Sequence, residues 1–180
     1  MSERVAAAFD AVPRARYLPP DQQRYAGQDR PLPLGHGATS SQPSTVRAML
    51  ELLALEPGQR VLDVGAGSGW TTALLGHLVG PAGEVVAVER VPELVDTARA
   101  RGLPVHLAAP GVLGWPSRAP YDRILVSASA NELPAALVGQ LAPGGVMVIP
   151  VRSDMLRVTA TAADPEVERH GRYLFVPLVP

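Results

Sequence analysis

The chain contains no cysteine and no lysine among its 180 residues. Without cysteine there is no disulfide, no thiolate metal ligand and no thiol nucleophile. Without lysine there is no ammonium for a Walker-type phosphate loop, no Schiff base and no other ε-amine chemistry. Arginine therefore carries all 16 basic charges, and they nearly balance 17 acids to leave a net charge of −1. That balance gives no electrostatic footprint for nucleic acid or an anionic membrane. The four histidines, His36, His77, His106 and His170, show no H-E-x-x-H or comparable spacing, so no metal site is expected. No apolar run is long enough to span a bilayer, and the start MSERVAAAFDAVPR has an early acid and no long apolar stretch, unlike a signal peptide. The expectations are a cytoplasmic monomer that engages neither nucleic acid nor membrane.

What is present fits one domain over residues 1–180, since 47% of the residues are hydrophobic and can bury an ordinary core. The 17 glycines and 19 prolines fall between apolar runs and read as loop chemistry. Residues 1–42, rich in Pro, Gly and Arg with one short amphipathic candidate over Arg4–Val12, read as a segment covering a core at 43–180. A helix follows Ser40-Ser41-Gln42-Pro43, because Val46, Met49, Leu50, Leu53 and Ala54 share one helical face, and Pro57-Gly58 ends it. Strands are then expected at Arg60–Val64, Glu84–Glu89, Val105–Ala108, Arg123–Ser127 and Val146–Val151. Helices are expected at Trp70–Val79, Pro92–Arg101 and Pro134–Leu141. Such alternation implies a Rossmann-like α/β fold with a doubly wound, mostly parallel sheet. Leu156–Ala162 and Tyr173–Leu178 read as an antiparallel C-terminal strand pair on one edge.

In such sheets the ligand lies beyond the carboxyl ends of the strands, where strand order reverses. The loop there is Gly65-Ala66-Gly67-Ser68-Gly69. The dinucleotide fingerprint G-x-G-x-x-G would need a third glycine at position 70, and Trp70 stands there instead. S-adenosylmethionine suits the loop better. Asp63 is placed to face the cationic side of such a ligand, and Glu89, ending the second strand, can accept from both ribose hydroxyls. Asp63 can equally brace the glycine loop, and Glu89 can equally complement the dipole of the next helix.

The pattern D-V-G-A-G-S-G with a well-placed Glu resembles the first two motifs of class I methyltransferases. Further stretches resemble the protein-L-isoaspartate O-methyltransferases: Ala11-Val12-Pro13-Arg14, Tyr17-Leu18-Pro19-Pro20, and Pro31-Leu32-Pro33-Leu34-Gly35-His36-Gly37-Ala38-Thr39-Ser40-Ser41-Gln42-Pro43. Ala119-Pro120-Tyr121-Asp122-Arg123-Ile124-Leu125-Val126 and the ending Phe175-Val176-Pro177-Leu178 are similar too. The resemblance implies methyl transfer from S-adenosylmethionine to the free carboxylate of an isoaspartyl residue in a damaged protein or peptide. It implies Ser41 as the active-site serine, Thr39 and Gln42 on the substrate side, and Asp63, Gly65, Ala66, Gly67, Gly69, Glu89 and Gly111 around the cofactor. Ser41 followed by a proline is also a routine helix cap. A carboxylate with a reference pKa of about 4 is already ionised at neutral pH, so the implied chemistry needs no general base. Where the family carries a G-D-G triplet whose aspartate accepts from the adenine amino group, this chain has Ala109-Pro110-Gly111. One lost hydrogen bond costs about 0.5 to 1.5 kcal/mol, which weakens binding without abolishing it. A different carboxylate acceptor, or a cofactor-binding relative without catalysis, are the competing readings.

Overall fold

The structure is a computed structural model that describes residues 2–179; Met1 and Pro180 lie outside the described residues. Its centre is a seven-stranded sheet built from β3 (Arg60–Val64), β4 (Glu84–Glu89), β5 (Val105–Leu107), β6 (Tyr121–Val126), β7 (Leu141–Val151), β8 (Asp154–Thr159) and β9 (Glu166–Arg172). The order is β5-β4-β3-β6-β7-β8-β9. Pairing is parallel from β5 through to β7 and antiparallel for the last two strands. The chain moves outward from β3 in one direction and then, at β6, in the other. The ends of β3 and β6 therefore mark the switch point of a doubly wound, Rossmann-like fold.

Side-chain alternation sorts the core into two layers. Val61, Leu125 and Val148 pack against α1 (Glu3–Ala11), α2 (Pro43–Leu53) and α3 (Trp70–Val79). Leu62, Val64, Ile124, Val126 and Met147 face the opposite layer, which is covered by the 108–120 segment and the short helix α5 (Ala135–Val138). The helix α4 (Pro92–Arg99) links β4 to β5, with Leu94, Val95 and Ala98 turned inward. Central strands buried on both faces explain their unbroken Val/Leu/Ile runs. Among the described residues no helix is long and apolar enough to cross a membrane.

Two expectations need correction. The edge pair is not 156–162 with Tyr173–Leu178, because β8 pairs with Glu166–Arg172. The His170-Gly171 pair lies inside that strand, where the ladder shifts register and Gly171 has φ +84°; a glycine within a strand often marks a bulge. Charged residues fill β9 because it is an exposed edge, where charge blocks pairing with other chains. The helix expected over 134–141 is one turn long, since Gln140 already receives the Tyr121 amide through its carbonyl and the chain enters β7 at Leu141. The N-terminal segment also holds an unforeseen hairpin, β1 (Leu32–Gly35) and β2 (Ala38–Ser40), whose prolines hide its strand character.

Candidate active site

Beyond β3 the chain turns through Gly65–Gly69 before entering α3. The Gly65 and Ala66 amides both donate to the Val88 carbonyl at 2.9 and 3.1 Å, tying the loop to the end of β4. Gly67 and Gly69 hold φ of +56° and +94°, a region that side chains disfavour. Their surroundings differ. A Cβ on Gly67 would meet Leu34 Cδ1 at 3.2 Å, whereas one on Gly69 would meet Leu103 Cδ1 at 2.2 Å. Gly67 is thus pressed close against Leu34 of the N-terminal segment, and Gly69 makes room for Leu103 and for Ala98 of α4.

The two candidate acids lie in different settings. Glu89 lines a cavity of about 260 Å³ together with Gly65, Gly67, Thr39, Val112 and Leu113. Its Oε2 accepts from the Gly67 amide at 2.8 Å, and its Oε1 accepts from the Arg90 and Val91 amides at 2.7 and 2.9 Å. It both braces the glycine loop and caps the approach to α4, so the competing reading describes part of its work. Asp63 is wholly buried and does not line this cavity. Its Oδ2 accepts from the Thr71 and Thr72 hydroxyls at 2.9 and 2.7 Å, and its Oδ1 has no partner among the described residues. Burial pushes its carboxyl up to about 6. Direct contact between Asp63 and a ligand is not what this geometry provides; the side chain braces the loop from below.

A second, smaller hollow of about 40 Å³ lies between the loop and the end of β2, lined by Ser41, Ala66, Ser68 and Thr71 among others. It shares Thr39, Gly65, Gly67 and Ser127 with the larger cavity. Thr39 and Ser41 therefore stand over the glycine loop. Ser41 is not the cap of α2: Gln42 occupies that position, and the Asp29 carboxylate accepts from the Ser44 amide at 2.8 Å. That amide, with the Ser44 hydroxyl, holds the Asp29 carboxyl below its usual range. Gln42 turns its amide to the Ser44 hydroxyl and lines neither the cavity nor the hollow. Gly111 is also off the cavity wall, which is formed by Val112, Leu113 and Gly114.

Several residues that hold the site escaped the reading of the sequence. Arg14 is buried and spends its guanidinium on five hydrogen bonds, to the Ser40 hydroxyl and to the carbonyls of Ala26, Gln28, Arg30 and Ser40. Burial lowers it to about 10. Trp70, the residue that spoils the dinucleotide fingerprint, donates its indole N–H to the Val12 carbonyl at 3.1 Å and packs edge-on against Phe9. The buried Gln140 clamps the far wall, accepting from the Trp115 amide at 2.9 Å and donating to the Leu113 carbonyl at 2.9 Å. The tail residues Val176–Val179 close another side, pinned where Ser129 exchanges two backbone hydrogen bonds with Val176 and Leu178. The usable signals are the family resemblance that includes Arg14 and the misfit of Trp70. Among the described residues no group of three His, Asp or Glu is arranged to hold a metal.

A doubly wound sheet with a cavity at its switch point, a glycine loop below and a carboxylate at the end of the second strand defines a Rossmann-like nucleoside-binding domain. The chain belongs to the protein-L-isoaspartate(D-aspartate) O-methyltransferase family, whose profile matches residues 1–180. It is 48% identical over 188 residues to the protein-L-isoaspartate O-methyltransferase of Methanothrix thermoacetophila, covering 99% of this chain and 89% of that one. The Anaeromyxobacter dehalogenans (strain 2CP-C) enzyme of the same name is 50% identical, covering 97% and 88%. A solved protein-L-isoaspartate O-methyltransferase structure superposes with a TM-score of 0.87 at 28% identity, covering 99% of this chain and 62% of that chain. The Plasmodium falciparum protein crystallised with S-adenosyl-L-homocysteine shares the fold, with a TM-score of 0.82 at 24% identity and coverage of 98% and 90%.

Proposed function

We propose that this chain is an S-adenosylmethionine-dependent methyltransferase that esterifies the free carboxylate of L-isoaspartyl residues in proteins and peptides. The observation that carries the reading is the meeting of the Thr39–Ser41 segment with the glycine loop. A hydroxyl-lined hollow there opens into a cavity walled by a buried carboxylate. The cavity suits the cofactor: Glu89 retains acceptor capacity beyond its three amide bonds for a ribose hydroxyl, and the bare Gly65 and Gly67 leave the loop open to close approach. Val112 and Leu113 supply an apolar wall for the base. When bound, S-adenosylmethionine supplies an electrophilic methyl group on sulfonium sulfur.

The residues of the chain then have to orient an acceptor rather than activate it. An isoaspartyl carboxylate is ionised at neutral pH, so no proton need be removed before attack. Ser41 meets no hydrogen-bond partner among the described residues, which leaves its hydroxyl available to donate to that carboxylate. Thr39 stands beside it, and Ser127 closes the opposite side. Holding an oxygen in line at near-attack distance is catalysis by positioning. The methyl ester formed is then open to attack by the next residue's amide nitrogen, releasing methanol and leaving a succinimide that water opens to aspartate or isoaspartate. In this reading residues 1–42 are the substrate-side cover and 43–180 the cofactor core. The test is transfer of labelled methyl from S-adenosylmethionine to paired isoaspartyl and aspartyl peptides. Base-labile label confined to the isoaspartyl peptide is expected; label on neither, or equally on both, overturns the proposal.

A further inference from the structure

Two guanidinium groups on the N-terminal cover have no part in the methyl transfer described above. Arg24 and Arg30 are both exposed, and each lies over the Tyr25 ring, at 4.7 and 5.2 Å from its centroid. Their charged carbons are therefore no more than about 10 Å apart, close to the screening length of ordinary buffers. Among the described residues neither forms an ion pair. The acids of the same segment are engaged elsewhere: Asp21 accepts from the Gln22 side-chain amide at 2.6 Å, and Asp29 from the Ser44 backbone amide at 2.8 Å. Arg30 spends only its Nε, on Gln28 Oε1 at 2.7 Å, which leaves its two amino groups without a protein acceptor among the described residues.

The pair is tied to the Ser41 side of the site. Tyr25 packs on the cluster formed by Leu18, Leu32 and Leu34, two of them residues of β1. One nitrogen, Arg14 Nη2, donates to the carbonyls of both Arg30 and Ser40, at 3.0 and 2.9 Å. With Asp29 bonded to Ser44, the 24–30 loop is fastened on either side of Ser41, at Ser40 and at Ser44.

We propose that Arg24 and Arg30 bind a carboxylate side chain, Asp or Glu, of the substrate polypeptide close in sequence to the isoaspartyl residue, and so bias which damaged segments are methylated. The inference rests on the methyl-transfer reading above. An anion held by both groups relieves the repulsion between them, and the aromatic seat holds each guanidinium in place before the ligand arrives. A planar guanidinium also matches a carboxylate with two parallel hydrogen bonds. An extended chain advances about 3.3 to 3.6 Å per residue, so an acid a few residues from the reacting carboxylate reaches the 24–30 loop. The whole chain carries a net charge of only −1, so attraction for an acidic segment is a property of this patch and not of the overall field.

The test compares isoaspartyl peptides that carry Glu or Gln at each of four positions on either side of the damaged residue. For wild type, kcat/KM is expected to favour Glu over Gln by about threefold to fivefold at one or more positions, the scale of an exposed ion pair, with the difference in KM. The preference is expected to fade as salt is raised to about 0.5 M. In the Arg24→Gln/Arg30→Gln double variant the ratio at those positions is expected to fall to about one. Each ratio is taken within one protein, so a loss of folded material cancels. Arg169→Gln on β9 removes a like charge from the sheet edge and is expected to keep the wild-type ratio. A ratio of one at every position in wild type, a preference that survives in the double variant, or an equal loss in Arg169→Gln overturns the inference. Methylation of no isoaspartyl peptide overturns the function reading along with it.

Discussion

The floor and the cover of the site are held by opposite means. The floor, from Val64 to Trp70 with Glu89, is fixed locally: backbone amides pair with neighbouring strand ends, and the acids reach only a few residues away in space. Within the proposed cover, residues 12–42 have little regular structure beyond the β1–β2 hairpin and are fixed by side chains. One guanidinium gathers four carbonyls and a hydroxyl, and one indole bolts Val12 to α3. A nucleoside site can be assembled from a local turn, whereas a lid that presents Ser41 over it has to be sewn down from a distance. The cover should therefore fail as a unit, and the floor should survive it.

The strongest way to break that contrast is Arg14→Met. Five hydrogen bonds go at once; the Gln28 carbonyl keeps the Arg30 amide, but the carbonyls of Ala26, Arg30 and Ser40 lose the guanidinium, at a cost of about 1 to 3 kcal/mol for each group left unsatisfied. Methyl transfer is expected to fall by roughly a hundredfold or more, and the melting temperature by roughly 10 °C, at about 2–4 °C per kcal/mol for a chain of this size. S-adenosyl-L-homocysteine affinity, read by calorimetry on the variant below its melting point, is expected to fall far less than turnover. Parallel losses in affinity and turnover would erase the distinction between floor and cover.

Ser41→Ala sharpens the comparison with a smaller effect. The side chain bonds to no described residue, so its removal leaves the fold intact. A reduction in turnover of about tenfold, equivalent to a single hydrogen bond of about 1.4 kcal/mol lost in the transition state, is expected, with cofactor affinity within about twofold. Unchanged turnover on an isoaspartyl peptide would remove Ser41 from the mechanism.

The same contrast explains what could be read from the sequence. The five parallel strands, the glycine loop and the position of Glu89 were legible because each is a local pattern: an apolar run, a turn chemistry, an acid at a strand end. Arg14 was visible only as part of a resemblance, since nothing local distinguishes a guanidinium that will bury itself from one that stays in water. Trp70 was read correctly as a misfit for dinucleotide binding, but its partner, Val12, is 58 residues away. Asp63 admits two readings, facing a ligand or bracing the loop, and spacing alone does not choose between them. Spacing located it beside the loop, while the strand's alternation turned it into the core towards Thr71 and Thr72. The tail shows the limit of periodicity. The charged β9 carries no apolar alternation, and the apolar Tyr173–Leu178 run belongs to the cavity wall and the core surface instead of a strand.

A third test, read in stability instead of turnover, probes the charge beneath the floor. The folded-state value of Asp63, about 6, lies above the ordinary 3.8 because burial penalises the ionised form. Its protonated form is favoured by folding, so its contribution to stability is fully present below about pH 4 and is lost as pH rises through about 6. Asp63→Asn keeps an oxygen that can accept from Thr71 and Thr72 but cannot ionise. The stability of wild type relative to this variant, from denaturant unfolding at several pH values, is expected to decline by on the order of 2 kcal/mol between pH 4 and pH 7. Cofactor affinity supplies the opposite slope. A cationic ligand favours the ionised acid, so S-adenosylmethionine is expected to bind wild type more tightly as pH rises through 6, while the Asp63→Asn variant shows a flatter profile. Parallel stability curves for the two proteins would mean that Asp63 does not titrate in this window, and the floor would then be held by neutral hydrogen bonding alone.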